Sequence, residues 1–161
     1  MSFRIGYGYD VHRLAKGEEL WLGGVLIPFE KGAVAHSDGD VLVHAICDAL
    51  LGAAALRDIG FHFPDNSNEY KNISSLILLE KTVSLLKQAG YRIGNIDVTV
   101  CLQHPKIKDF IPEMQKKIAD SAGIEISQIS VKATTTETLG FEGRREGISA
   151  HAVALIEGIN S

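Results

Sequence analysis

Asp10 and His12 stand two residues apart in "GYGYDVHRL", within a segment that alternates with period two from Phe3 to His12. On an extended strand, side chains at i and i+2 leave from one face, so this carboxylate and imidazole can share one ion. Gly6 and Gly8 precede them on that face, and glycine admits a ligand or another backbone at close range. A second series lies in "HSDGDVLVHAICDALLGAAALRDIGFHFPD", where Asp40, His44 and Asp48 fall at i, i+4 and i+8. That spacing makes one stripe of an otherwise apolar helix containing Val43, Ala45, Ile46 and Leu50. Asp10, His12 and His44 together offer one carboxylate oxygen and two imidazole nitrogens. Three ligands with an open fourth position is the pattern of a catalytic zinc site, not a closed structural one. A divalent ion there would attract a phosphate oxygen. Asp40 and Asp48 are then candidates to orient an imidazole from behind.

Other clusters carry weaker signals. Asp58, His62 and Asp65 share a loop with Gly60 and Pro64, where plain turn chemistry is the competing reading. His36 and Ser37 precede the helix, either as a cap or, with its first backbone N–H groups, as an anion site. Thr134, Thr135 and Thr136 run directly into Glu137, with Phe141 and Arg144 beyond. Hydroxyls followed by a carboxylate suit phosphate and Mg²⁺ handling, although threonines are also good strand residues. Lys106 follows His104 and Pro105 in a loop suited to gripping a base or phosphate. His104 and His151 have no partner close in sequence and read as non-catalytic from the residues alone.

The elements that must position these groups follow from periodicity. In the first strand Phe3, Ile5, Tyr7, Tyr9 and Val11 form what reads as the packed face. "LWLGGVLIPF" predicts a hairpin turning at Gly23-Gly24. Residues 40–57 predict a small-residue helix capped by Ser37 or Asp38, and residues 72–89 a second helix with Leu76, Leu79, Val83 and Leu86 on one stripe. "NIDVTVCLQ" predicts a strand with Ile96, Val98, Val100 and Leu102 inward. A third helix starts near Pro112 and stops at Gly123, and "QISVKATTT" and "ISAHAVALIEGI" read as the last strands. This order predicts an α+β fold: a single domain over residues 1–161, with a mixed four- to five-stranded sheet and helices on one face.

Composition bounds the partners. A chain of 161 residues with 45% hydrophobic and 22% charged residues is that of an ordinary globular protein. A formal net charge of −4 lacks the basic footprint of a nucleic-acid binder. Cys47 and Cys101 lie far apart in apolar patterns and read as reduced, buried thiols of a cytoplasmic protein. The start "MSFRIGYGYD" shows no targeting segment. No apolar run approaches the roughly 20 residues a membrane helix needs.

The motifs "YDVHR", "HSDGDVLVHAICDALLGAAALRDIGFHFPD", "NIDVTV", "VKATTTETLGFEGR" and "EGI" resemble the 2-C-methyl-D-erythritol 2,4-cyclodiphosphate synthase family, essentially end to end. The resemblance implies a homotrimer with active sites between neighbouring subunits. It also implies a lyase that converts 4-diphosphocytidyl-2-C-methyl-D-erythritol 2-phosphate to the cyclic diphosphate and CMP in the non-mevalonate isoprenoid pathway. Zn²⁺ or another transition metal is expected on Asp10, His12 and His44, with Mg²⁺ or Mn²⁺ on the substrate diphosphate near Glu137. His36 and Thr135 match positions that stabilise the transition state; Asp10, His12, His36 and Ser37 match substrate contacts. Asp58, Ile59, Gly60, Phe63, Pro64, Asp65, Asn66 and Ser67 match the erythritol-binding loop. Leu102, Gln103, His104, Pro105, Lys106, Ile107 and Lys108, with Thr134, Thr135, Thr136 and Glu137, match nucleotide and diphosphate contacts. Phe141 and Arg144 match residues of the trimer's inner cavity and its ligand contacts. Where the family commonly continues "HFPD" with Thr-Asp-Pro, this chain has Asn66, Ser67 and Asn68. Two other functions would use the same residues. One is a zinc hydrolase of a nucleotide diphosphate, with Asp58 as base; the other is a non-enzymatic binder of isoprenoid diphosphates through Phe141 and Arg144.

Overall fold

A computed structural model describes residues 2–159. Strand β1 (Phe3–Lys16) leads into the hairpin β2 (Leu20–Leu22) and β3 (Val25–Ile27), then the short β4 (Lys31–Ala33). The hairpin turns at Gly23 and Gly24 as expected, both with positive φ, which glycine adopts without a Cβ penalty. Helices α1 (Val41–Ala53), α2 (Ile59–His62) and α3 (Ser75–Gln88) precede β5 (Tyr91–Cys101). Helix α4 (Ile111–Ala122), β6 (Ile129–Thr134), α5 (Gly140–Gly143) and β7 (Gly147–Gly158) complete the order. Pro112 sits in the first turn of α4 and Gly123 ends it in the left-handed region at φ 65°, as the sequence predicts.

The main sheet has five strands in the order β4-β1-β7-β5-β6, with β2 and β3 forming a separate pair. Among the described residues only β5 and β6 run parallel, across the crossover through α4; the other neighbours are antiparallel. The sheet is therefore mixed and the domain α+β. Ile96, Val98, Val100 and Leu102 point inward and are buried. Helix α1 is apolar on nearly every side, with Val41, Leu42, Val43, Ala45, Ile46, Ala49 and Leu50 fully buried, so it forms the centre of the core. Among the described residues, no helix is long and apolar enough to cross a membrane.

One expectation is reversed. Phe3, Ile5, Tyr7, Tyr9 and Val11 are not the packed face of β1; they are exposed, Ile5 to 72% and Tyr7 to 61%. The packed face is the glycine side, where a Cβ on Gly6 would lie 1.9 Å from the Ala49 carbonyl oxygen. Period-two alternation separates the faces of a strand without saying which one a helix covers. Here the bare face wins, because α1 can lie directly on the backbone. The other differences are local. Helices α1 and α3 are shorter than the spans 40–57 and 72–89. Helix α1 is capped by Asp40, which accepts the Val43 N–H, rather than by Ser37 or Asp38. Cys47 is buried as expected, whereas Cys101 is partly exposed; both are free thiols.

Candidate metal and phosphate site

Close packing of β1 on α1 assembles the site. Asp10 and His12 project from the glycine face of β1 beyond Gly8, and His44, the residue before Ala45 on α1, meets them. Asp10 Oδ2 lies 3.1 Å from His12 Nε2 and 3.0 Å from His44 Nδ1, and the two nitrogens are 3.3 Å apart. A tetrahedral ion with ligand bonds near 2.0 Å needs its ligand atoms about 3.3 Å apart. The spacing and the donor set, one carboxylate and two imidazoles, can therefore hold a metal ion, as their types alone suggested. Burial alone would push the Asp10 carboxyl up, but hydrogen bonds from His12 and His44 overcome it and hold the carboxyl well below the ordinary range. His44 is raised: burial favours its neutral form, and the Asp10 carboxylate beside it more than offsets that.

The remaining predicted residues gather in two hollows. A cavity of about 290 Å³ beside the trio is lined by His12, His36, Ser37, His44, Ile59, Gly60, Phe63 and Asp65. It brings the expected phosphate contacts and the expected erythritol loop onto the trio. His36 Nε2 bonds the Ser67 carbonyl at 2.9 Å, tying the two segments together. Asp58 caps the single turn α2 through the Phe61 N–H, so the expected loop contains a helical turn. His62 Nε2 bonds the Leu56 carbonyl at 2.7 Å and braces that turn. Pro64 and Asn66 lie on the exposed side of the same segment.

The second hollow, of about 310 Å³, is lined by Leu102, Gln103, Pro105, Lys106, Ile107 and Lys108 from one loop and by Thr134 and Thr135 from the end of β6. The Thr138 N–H donates to Gln103 Oε1 at 3.2 Å and links that loop to the segment carrying Thr136 and Glu137. Glu137 takes φ 55° and its N–H donates to Thr135 Oγ1. His104 precedes the cis Pro105. Registers Asp10↔Ala150, Ala150↔Val100 and Val100↔Ala133 put both hollows at one end of the sheet. Strands β1 and β6 are nevertheless three places apart, about 14 Å at the usual strand spacing. One chain keeps the trio and the threonine run separate. Phe141 lies in α5 with its ring against Gly147, and Arg144 pairs with Glu146 on the surface at 2.8 Å.

Two expectations need correction. Asp40 does not orient an imidazole: both its oxygens are taken by the amides of Gly23, Gly24 and Val43. Asp48 does not either; it accepts the Ile59 N–H at 2.8 Å. At the N-terminus of α1, beside His36 and Ser37, Asp40 occupies the Val43 N–H. The nearer of two hydroxyls at the far nitrogen of His44 is Ser75 Oγ, at 2.7 Å against 3.3 Å for Ser37 Oγ, and Ser75 in turn bonds Asp38. Ser75 carried no signal in the sequence, since a serine at a helix start reads as a cap. His151, which read as unpartnered, bonds the Tyr7 hydroxyl through Nδ1 at 2.7 Å on the exposed sheet face.

Known proteins match along the whole fold. Residues 3–157 match the YgbB family. The chain is 63% identical over 156 residues to a 2-C-methyl-D-erythritol 2,4-cyclodiphosphate synthase from Bacteroides fragilis, covering 97% of this chain and 98% of that protein. Among solved structures, IspF of Plasmodium falciparum in complex with CDP superposes with a TM-score of 0.86 at 38% identity, covering 99% of this chain and 98% of that one. The bifunctional IspDF from Campylobacter jejuni superposes with a TM-score of 0.94 at 43% identity over 98% of this chain, which spans 42% of that longer protein.

Proposed function

The chain belongs to the YgbB family, and from that membership and its site we propose that it is a cyclodiphosphate synthase of isoprenoid precursor biosynthesis. It converts 4-diphosphocytidyl-2-C-methyl-D-erythritol 2-phosphate into 2-C-methyl-D-erythritol 2,4-cyclodiphosphate and CMP, acting as a phosphorus–oxygen lyase. The observation that carries this reading is the cavity where His36, Ser37 and the 58–67 segment converge on the trio Asp10, His12 and His44.

The 2-phosphate attacks the β-phosphorus of its own molecule and CMP leaves, so the protein's task is positioning and charge neutralisation. Folding the flexible erythritol chain until its ends meet can supply about 7–11 kcal/mol of the barrier. Phe63, Ile59 and Gly60 wall the cavity that would hold that chain, and Ser37 presents a hydroxyl to its phosphate. His36 is fixed through Nε2, which donates to the Ser67 carbonyl, and as an imidazolium its Nδ1–H would donate to a phosphate oxygen. Thr135 accepts the Glu137 N–H, so its own O–H can donate to an oxygen gaining charge. Lys106 and Lys108, beside Thr134, would grip the nucleotide. Asp10, His12 and His44 would hold zinc and Glu137 a Mg²⁺ or Mn²⁺ shared with the diphosphate, and such ions supply Lewis-acid polarisation of the phosphoryl oxygens when bound.

We further propose that residues 1–161 act as one domain within a cytoplasmic homotrimer. The exposed apolar face of Phe3, Ile5, Tyr7, Tyr9 and Val11 supports this, because monomers rarely leave so large an apolar face in water. The separation of the two hollows supports it as well: the nucleotide hollow of one copy would complete the trio's cavity on its neighbour. The Arg144 region would then line the enclosed centre.

Phosphorus NMR on the protein with the cytidyl substrate and Mg²⁺, with and without zinc, tests the reading. A cyclic diphosphate with stoichiometric CMP, lost on stripping metal and in His44→Ala, is the expected result. CMP with an acyclic product, or no turnover in replete metal, would overturn it.

A further inference from the structure

We propose that Ser75 and Asp38 are positioning residues for the metal centre, setting the tautomer of His44 and aiming its Nδ1 at Asp10 and His12. Ser75 is fully buried at the start of α3. Its Oγ lies 2.7 Å from His44 Nε2 and bonds Asp38 Oδ1 on the other side. Asp38 is held in turn by the Ser75 N–H at 2.9 Å and the Asp40 N–H at 3.1 Å.

Proton counting fixes the direction of the chain. An ionised carboxylate only accepts, so the single hydroxyl proton of Ser75 goes to Asp38. Ser75 Oγ can then only accept from His44, which requires the imidazole proton on Nε2. With a metal bound and the ring neutral, that leaves the lone pair for the ion on Nδ1, the nitrogen whose proton in the metal-free site goes to Asp10 Oδ2 at 3.0 Å and which lies 3.3 Å from His12 Nε2. Ser37 Oγ, at 3.3 Å from His44 Nε2, is the longer contact and is already engaged with the Gly39 N–H. The chain also joins three elements: α1 carries His44, α3 carries Ser75, and Asp38 stands in the segment between β4 and α1. Imidazole ligands whose outer nitrogen is held in this way bind metal more tightly, since less order is lost and the ring is more basic.

A purely structural role predicts something different. Ser75→Ala keeps the backbone N–H that Asp38 accepts, so the docking of α3 persists and only the link to His44 is cut. The inference rests on the trio being a metal site, and the experiment separates the two. Zinc affinity is measured by chelator competition, and the visible absorption of the cobalt(II)-loaded protein is recorded, for wild type, Ser75→Ala, Asp38→Asn, Asp48→Asn and His44→Ala. Circular dichroism checks the fold of each. Ser75→Ala should lose about ten- to a hundred-fold in zinc affinity and shift the cobalt spectrum. Asp38→Asn should lose affinity in the same direction by less, and Asp48→Asn should match wild type. Wild-type affinity and spectrum in Ser75→Ala, with His44→Ala unable to bind, would overturn the relay alone. Failure of the wild type itself to bind zinc would overturn the metal site and the relay with it.

Discussion

A Cβ placed on Gly8 would lie 1.9 Å from the carbonyl oxygen of Ala45. Strand β1 and helix α1 therefore meet backbone to backbone one residue after His44 on the helix and two before Asp10 on the strand. The 3.0 Å contact between Asp10 and His44 depends on that approach. Gly8→Ala should push the two elements apart, costing about 1–3 kcal/mol as overpacking does, and weaken zinc binding as well. Urea denaturation and metal titration of the variant read the two effects. Wild-type values for both would show that α1 is free to shift without disturbing the trio.

The apolar outer face of the sheet supports the second prediction. Ile5 is 72% exposed and lies opposite Leu155 on β7. Ile5→Lys leaves the core of the single chain untouched, so the domain should still fold. A buried, unpaired ammonium would be costly at a subunit interface. Sedimentation should show the wild type at three times the chain mass and Ile5→Lys at the mass of one chain, with turnover lost. A wild type sedimenting as a monomer would remove the trimer.

Burial pushes the Cys47 thiol up to about 12, despite the Thr82 hydroxyl beside it. The thiolate is the reactive form, so at pH 8 only about one molecule in ten thousand would carry it there. Iodoacetamide at pH 8 should leave Cys47 unmodified in the native protein and label it fully in urea, as read by peptide mass spectrometry. Native labelling at the rate of a free thiol would show that α1 opens.

Asp40 is a second buried titratable group with a measurable consequence. Burial and then the nearby Asp38 push its carboxyl up to about 6, against the amides of Gly24, Val43 and Gly23. The folded value lies above the unfolded one of about 4. Its contribution to stability is therefore fully present below about pH 4 and is lost as pH rises through 6. Asp40→Asn removes that titration and leaves one amide without its acceptor, costing about 1–3 kcal/mol. Urea midpoints from pH 4 to 7 should fall in the wild type relative to the variant. Parallel curves for the two proteins would reject the assignment.

The local elements were legible because their causes are local. The Gly23-Gly24 turn, the stop of α4 at Gly123 and the inward Ile96, Val98 and Val100 follow from φ preference and period-two burial. The pairing of Asp10 with His12 is likewise a property of one strand, and residue types alone were enough to add His44 as a third ligand.

The tertiary structure decided what depends on contacts across long stretches of chain. Alternation in β1 marked two unlike faces, but only the arrival of α1 determined that Gly6 and Gly8 face inward while Tyr7 and Tyr9 face out. Spacing along α1 placed Asp40, His44 and Asp48 on one stripe, yet each finds a different partner: the Gly23-Gly24 turn, the trio and the Ile59 amide. The residue that holds His44 from behind, Ser75, is 31 positions away from it. Sequence periodicity reports which side chains share a face over a few turns of backbone. Which face meets which, and therefore which polar atom satisfies which, is settled only when the elements pack.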